Sequence, residues 1–347
     1  MGELCHSDNS MQRLKSLILW LIDMARRHPG LIALFGFVSG VASLVLVERK
    51  ESLAQMIAIM MLVSWVWLTL ENVLRRGIAA RFGVQLPPPV LAFLTQMVHQ
   101  ESLFFVLPFF VLATTWDSGQ LVFTGLLMAA ALISVVDPLY YKWLARRRWQ
   151  YLAFHSLTLF AVLLTALPIL LHLTTAESYR LATLITAILS FPSLAQTVPL
   201  GRWWRAPLVG LMMLSLGALV YLVHTWIPPA TLRLTDVAVT TELNNGERTP
   251  GESIAQLDSA TLRSNGLFAY TAIRAPRGLN ERIYHVWYQD GAEVDRIPLD
   301  IRGGRQQGYR AWTHKRNFPA VPAGRWRVRV ITEGGQLIGV LRFQVTP

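Results

Sequence analysis

The chain has 347 residues, of which 53% are hydrophobic and only 15% are charged, and its mean hydropathy is +0.38. These values exclude a single water-soluble globule, because a soluble domain of this length carries more charge and fewer apolar residues. The formal charge of +11 fits either nucleic-acid binding or a membrane topology signal, so the positions of the basic residues must decide. The one cysteine, Cys5, excludes an intramolecular disulfide.

The N-terminal region, residues 1–30, predicts an amphipathic helix that lies on a membrane surface. Between Met11 and Arg27 the apolar side chains form one stripe, and the charged side chains occupy the other positions. This segment is too short and too charged to cross a bilayer.

Seven apolar runs in residues 31–227 predict a membrane α-helical bundle of about seven transmembrane helices, since a span needs about 20 mainly apolar residues. The predicted spans are Leu31–Val47, Leu53–Leu70, Pro89–Ala113, Leu121–Val136, Tyr151–Leu173, Tyr179–Leu200 and Ala206–Ile227. We therefore expect three regions: a cytoplasmic N-terminus (1–30), a seven-helix transmembrane domain (31–227) and an extracytoplasmic domain (228–347).

The short connections between these runs divide the basic residues unequally. With seven spans, thirteen Lys and Arg fall on one side and three on the other. Because cytoplasmic loops are enriched in Lys and Arg, the N-terminus is expected in the cytoplasm and the C-terminal domain in the periplasm. This arrangement predicts a multi-pass protein of the bacterial inner membrane whose first partner is the lipid bilayer. It also argues against a nucleic-acid partner, because half of the basic residues are accounted for as topology signals or loop charges.

After Pro228 and Pro229 the pattern changes to alternating polar and apolar residues, which predicts an all-β, immunoglobulin-like sandwich of about seven strands. Two hairpins are expected around the turns at 290–291 and 333–336. The predicted strands are Leu232–Val239, Leu267–Ile273, Ile283–Gln289, Glu293–Ile301, Gly308–Lys315, Arg325–Val330 and Leu337–Val345.

Five motifs in this region occur in the order typical of one domain family: Arg282–Tyr288, Asp290–Gly291, Ile301–Gly304, Arg310–Thr313 and Gly324–Val328. In this order they resemble a bacterial β-sandwich domain of unknown function that is often found at the C-terminus of membrane proteins. The resemblance covers 232–345 and departs slightly at Ala311 and Thr313, where the family tends to have Thr and Ser. The membrane portion resembles uncharacterised proteobacterial proteins of the same architecture. The resemblance implies a periplasmic sandwich and no particular chemistry.

The third predicted helix carries an intramembrane polar cluster about 15 to 18 Å from its cytoplasmic end. Its members are Thr95, His99, Glu101 and Ser102. An ionised Glu101 at mid-bilayer costs about 2.5 to 3.5 kcal/mol, so it must be protonated, paired or in contact with water. This cluster is either a proton, ion or ligand site or a set of interhelical hydrogen bonds. His99 and Glu101 are two positions apart and cannot share a helix face.

A second polar cluster is expected at the cytoplasmic interface, where Asp137 and Pro138 end the fourth predicted helix. Its members are Asp137, Tyr140, Lys142 and His155. Together with Arg146, Arg147 and Arg148 it could bind a lipid phosphate, or these basic residues could serve only as topology signals.

The outer domain is strongly basic between Arg302 and Arg342, where nine Lys and Arg accompany one acid, Glu333. This region could bind an anionic or carbohydrate polymer through charge and ring stacking, or its arginines could be solvated strand positions. The candidate binding residues are Arg302, Arg305, Tyr309, Arg310, Trp312, Arg325, Arg327 and Arg329.

No spacing of His, Cys and carboxylates predicts a metal site or cofactor, and no nucleophile motif or phosphate-binding loop points to catalysis. The leading hypothesis is an inner-membrane protein that presents a periplasmic recognition module to an envelope protein or an anionic envelope polymer. A transporter or intramembrane enzyme centred on His99 and Glu101 is the alternative, and a scaffold subunit of a larger complex is a third.

Overall fold

The computed structural model describes residues 38, 55–66, 68, 88–197, 205–244 and 246–347. The predicted N-terminal surface helix lies outside these residues, as does the first predicted span except for Val38.

Within these described residues, six α-helices precede the β-sheet region. They are α1 (Gln55–Val66), α2 (Pro88–Ala113), α3 (Gln120–Val135), α4 (Arg148–Leu171), α5 (Thr175–Thr197) and α6 (Arg205–Leu222). A π-helical turn (Pro138–Leu144) follows α3 and is bent from it by 100°. Pro138 lacks a backbone N–H and cannot continue the hydrogen-bond ladder of α3, so the sequence itself explains this break.

The prediction of seven membrane-spanning helices is wrong for the part of the chain that the structure describes. Only Ala92–Ala113 and Arg148–Leu171 are long and apolar enough to cross a membrane, with a third span if α3 and the bent turn are counted as one. The apolar helices Gln55–Val66 and Pro207–Leu222 are shorter. The second of these extends roughly 24 Å, less than the roughly 30 Å of a bilayer core. The apolar runs in the sequence correctly predicted a helix at each of these two places, but the described apolar helices are shorter than the predicted spans.

The C-terminal region folds into two principal antiparallel sheets. Strands β1 (Arg233–Thr240), β5 (Leu267–Arg274) and β8 (Tyr309–Lys315) form a three-stranded sheet in the order β1-β5-β8. A five-stranded sheet has the order β4-β10-β9-β6-β7, from strands β4 (Gln256–Asp258), β6 (Asn280–Gln289), β7 (Ala292–Arg302), β9 (Gly324–Thr332) and β10 (Leu337–Thr346). Only β4 and β10 in it pair in parallel.

The two sheets share one hydrophobic core. Trp287 and Trp326 of the five-stranded sheet are fully buried and pack with Leu267 and Ile273 of the three-stranded sheet. The alternation of buried and exposed residues along β9 therefore places Trp326 inside and its neighbouring arginines outside. These sheets confirm the expected β domain.

The hairpin predicted at Asp290–Gly291 is confirmed by its backbone. Both residues have positive φ angles, 48° and 94°, which a tight hairpin turn requires. The pattern did not predict the short hairpin β2 (Leu243–Asn244) and β3 (Thr249–Pro250), the strand β4, or the helix α7 (Ser259–Asn265).

Candidate functional site

The first candidate site lies among the helices and is centred on His99. The imidazole of His99 is fully buried, with Nδ1 2.8 Å from the Tyr140 hydroxyl and Nε2 2.9 Å from Nδ1 of His155. Trp65 of α1 donates to Ser102 at 3.0 Å and packs its ring 4.7 Å from that of His155. We call Trp65, His99, Ser102, Tyr140 and His155 the His99 cluster.

The His99 cluster joins members of both polar groups expected from the sequence. It brings His99 and Ser102 of α2 together with Tyr140 of the π-helical turn and His155 of α4. A neutral histidine donates from one ring nitrogen and accepts at the other, so His99 can satisfy both neighbours at once. The arrangement connects four segments of the helical part.

The remaining members of the two expected groups lie apart from this centre. Asp137 accepts a hydrogen bond from Gln96 at 2.9 Å, while Lys142 is exposed. Thr95 and Glu101 are half-buried, and no hydrogen bond or ion pair joins Glu101 to the residues that the structure describes. Sequence reasoning missed Trp65 and Gln96. Gln96 could have been found from its position one helical turn before His99, which places the two residues on the same face of the helix.

The second feature is the contact between the sandwich and the helix ends. The turn between β9 and β10 inserts among them: Gln336 donates to the Ile227 carbonyl at 2.9 Å, and Gln120 of α3 donates to the Leu337 carbonyl at 2.7 Å. Both glutamines are buried. Buried amides without partners would be costly, so these two bonds fix the orientation of the sandwich on the helices.

A carboxylate of the sandwich binds the start of α5 in the same contact. Glu281 Oε2 accepts from the backbone N–H of Thr175 at 2.7 Å and from its hydroxyl at 3.1 Å. Burial raises the pKa of Glu281 to about 7, although the hydrogen bonds from Thr175 oppose this shift. The negative charges of Glu333 and Glu177 raise the pKa further. Sequence patterns gave no sign of this contact, because its partners are 106 positions apart.

The third feature is the outer side of the five-stranded sheet, where Arg325, Arg327 and Arg329 are exposed on alternate positions of β9. We call the surface around these three residues the arginine face. Arg327 lies opposite Arg342 of β10 and opposite Tyr288 of β6. Guanidinium groups are therefore neighbours both along and across the strands.

The acids on this side of the sheet are already paired at its margins. Glu293 binds Arg296, which lowers the pKa of its carboxyl, and Asp300 binds Arg282 at 2.9 Å. Arg342 forms an ion pair with Asp117, which belongs to the connection between α2 and α3. Within the described ranges, no carboxylate lies within salt-bridge distance of the three arginines of the arginine face.

The other outer-domain candidates do not join this face. Tyr309, Arg310 and Trp312 are half-buried on β8 of the three-stranded sheet, where Arg310 binds the Glu247 carbonyl. The remaining candidates, Arg302 at the end of β7 and Arg305 before β8, are exposed. The structure thus separates the expected set into two surfaces, of which only the arginine face has adjacent arginines without paired acids among the described residues.

The fold and these sites define a class of protein: apolar helices with a two-sheet β domain fixed to their ends. Residues 11–269 match the sequence model described as "Family of unknown function (DUF5924)", and the chain belongs to that family. Residues 280–345 match a second one, "Protein of unknown function (DUF2914)", which confirms the resemblance of the C-terminal region to a domain of unknown function. No curated protein and no solved structure matches the chain.

Proposed function

We propose that this protein resides in the bacterial inner membrane and holds its β-sandwich at the periplasmic surface, where the arginine face recognises an anionic partner. The observation that carries the proposal is the group of three exposed arginines with no carboxylate within salt-bridge distance in the described part of the chain. Two connections support the orientation: the one between α3 and α4 carries Lys142, Arg146 and Arg147, whereas the one between α2 and α3, beside the sandwich, has no Lys or Arg.

Apolar side chains that point outward from the helices support the membrane location. Val122 and Leu132 of α3 are 61% and 66% exposed, and Leu214 and Leu222 of α6 are 73% and 74% exposed. Contiguous apolar surfaces of this kind are unfavourable in water and favourable against lipid.

The charge arrangement on the arginine face favours a ligand over simple solvation. Like charges repel one another, and Arg327 lies between Arg325 and Arg329 on one face of β9, while Arg342 opposite it is already paired with Asp117. Alternate residues of a strand are roughly 6.7 Å apart, so the Cα atoms of the three arginines span roughly 13 Å. A partner with several phosphate or carboxylate groups can contact all three at once and relieve the repulsion.

The contact with the helix ends supports presentation of this face in a fixed orientation. Gln120, Gln336 and Glu281 hold the sandwich through buried hydrogen bonds at separate points. The helices then hold the sandwich in a fixed orientation in addition to attaching it to the membrane.

The proposal is tested by the binding of fluorescent polyphosphate to the full chain in detergent. Three bound phosphates should make the affinity fall about 20- to 40-fold between 50 and 200 mM salt, because counterions are released on binding. Replacing Arg325, Arg327 and Arg329 by Gln should abolish most of this binding and its dependence on salt.

A charge-matched control replaces Arg305, Arg310 and Arg316, in or beside β8, by Gln. It has the same net charge as the first variant and should bind within about twofold of the wild type. Equal losses in the two variants would show that net charge, and not the arginine face, causes the binding.

A second candidate function is a transporter or intramembrane enzyme, and the His99 cluster is the observation that favours it. We centre this candidate on His99, Tyr140 and His155 and not on Glu101, because Tyr140 and His155 contact His99 directly. Tyr140→Phe removes one hydroxyl from the cluster, and Tyr179→Phe removes a hydroxyl that bonds the Val220 carbonyl elsewhere in the helices.

These two variants separate the candidates in complementation of a deletion strain scored on envelope stress. If the His99 cluster carries out chemistry, Tyr140→Phe should fail to complement at normal expression, whereas Tyr179→Phe should complement. Complementation by both variants, with failure of the arginine-face variant, supports recognition.

A further inference from the structure

The arginine face continues a surface that the helices already occupy. On the outer side of the five-stranded sheet, Leu337, Ile331 and Val286 form a small buried cluster. The Leu337 carbonyl accepts from Gln120 at the start of α3. One corner of this side of the sheet therefore rests on the helix ends, and the rest of the same side extends beyond them.

The connection between α2 and α3 marks where the covered part stops. Asp117 of this connection pairs with Arg342 of β10. Arg327 is the next residue across the sheet, on the neighbouring strand β9, at a spacing of roughly 4.8 Å. The exposed arginines thus begin directly beside a helical connection.

Two tryptophans lie at this same level. Trp116 precedes Asp117 in the connection and is 54% exposed, and Trp226 packs against Gly119 and is 49% exposed. Exposed tryptophans at the ends of apolar helices are typical of the headgroup layer of a bilayer. Lipid around α3 would therefore place its headgroups at the height of this connection.

We infer that the arginine face binds the phosphate headgroups of anionic lipids in the leaflet next to the sandwich. This rests on the proposed function and identifies its anionic partner as the surrounding bilayer. Two observations carry it: the face is continuous with the helix contact, and its charge is complementary to an anionic leaflet. Asp117 pairs with the charge of Arg342 in the same way that a lipid phosphate would pair with the charge of Arg327.

The expected effect follows from the attraction of single basic residues to an anionic membrane. Each arginine near such a surface strengthens the association about fivefold, so three together strengthen it about 100-fold. The paired arginines at the margin, Arg282 and Arg296, contribute less because Asp300 and Glu293 already neutralise them.

The test uses the full chain in nanodiscs that contain phosphatidylcholine and phosphatidylglycerol in equal amounts. Native mass spectrometry of the released protein counts the lipids of each kind that it retains. We expect wild-type protein to retain phosphatidylglycerol in preference to phosphatidylcholine. The Arg325, Arg327 and Arg329 to Gln variant should lose most of this preference.

The control variant with Arg305, Arg310 and Arg316 replaced by Gln should retain the preference. The single variant Arg327→Glu keeps the test decisive should the triple variant fold poorly, and it should also lower the retention of phosphatidylglycerol. No preference in the wild type, or equal retention in the wild type and both arginine-face variants, overturns the inference.

Failure here is distinguishable from failure of the proposed function. If polyphosphate binds the arginine face in detergent while lipid retention does not depend on it, the face recognises a soluble polymer or a protein, and only the lipid assignment is wrong. If neither polyphosphate binding nor the retention of phosphatidylglycerol depends on the arginine face, the proposed function itself is wrong.

Discussion

Replacing His285 by Gln should flatten the pH dependence of the stability of the sandwich. His285 is fully buried between the sheets, with Nε2 3.1 Å from the Thr271 hydroxyl and Nδ1 3.1 Å from the Thr313 hydroxyl. The Thr271 hydroxyl donates to the Ala311 carbonyl and therefore accepts from Nε2. This assigns the neutral tautomer with its proton on Nε2, which leaves Nδ1 to accept from Thr313.

Burial lowers the pKa of His285 from the ordinary value of 6.5 to about 3. Between these values the unfolded chain binds a proton that the native chain does not, so stability is complete above 6.5 and falls as the pH decreases towards 3. From pH 7 to pH 5 the loss is about 2 kcal/mol, and the full shift corresponds to about 5 kcal/mol. Glutamine offers a donor and an acceptor to the same two threonines and does not titrate.

The measurement is amide hydrogen exchange of β5, β6 and β8 in the full chain at pH 5 and pH 7, corrected for the intrinsic exchange rates. Wild-type protein should lose about 2 kcal/mol of protection at pH 5 that His285→Gln keeps. His314→Gln is the matched control, because His314 is half-buried and stacks on Phe268. The reasoning is refuted if His285→Gln and the wild type show the same dependence on pH.

Three further outcomes are expected. Glu281→Gln should stabilise the contact between the sandwich and the helices by up to about 3 kcal/mol at pH 8 and have little effect at pH 4. The reason is that a carboxyl whose pKa is raised to about 7 loses its stabilising protonated form as the pH rises from 4.5 through 7. Unfolding midpoints measured between pH 4 and pH 8 test this expectation. Gln336→Ala should cost about 1 to 3 kcal/mol by leaving the Ile227 carbonyl without its donor, seen as faster exchange at 333–337 and not in β1. Trp326→Ala should cost about 3 to 5 kcal/mol in thermal unfolding, whereas Trp312→Ala, on a half-buried ring, should cost less.

The strands were largely predictable because each depends on local pattern. The alternation along Arg325–Val330 and the turn at Asp290–Gly291 specify a pleated strand and a tight hairpin without reference to the rest of the chain. The observed strands β5, β9 and β10 begin within a residue of their predicted starts. Local pattern could not show that the outer-domain candidate residues lie on two different surfaces, because the order of the strands in the sheets decides which arginines become neighbours.

The helices were less predictable from the sequence than the strands. Apolar content identified α2 to α6 at roughly the right positions, yet it did not predict that the described residues hold only two helices, or three with the bent pair, of spanning length and hydropathy. Helix ends depend on breaks such as that before Pro138 and on the polar residues within each run.

The sequence by itself determined the division between apolar helices and β-strands, the main hairpins and the exposed alternation of arginines, because periodicity of two or of 3.6 residues is a property of neighbouring positions. Tertiary structure decided which distant residues meet. His99 lies 41 positions from Tyr140 and 56 from His155, and Asp117 lies 225 positions from Arg342. Such contacts depend on how helices and sheets pack against one another, which no local pattern encodes.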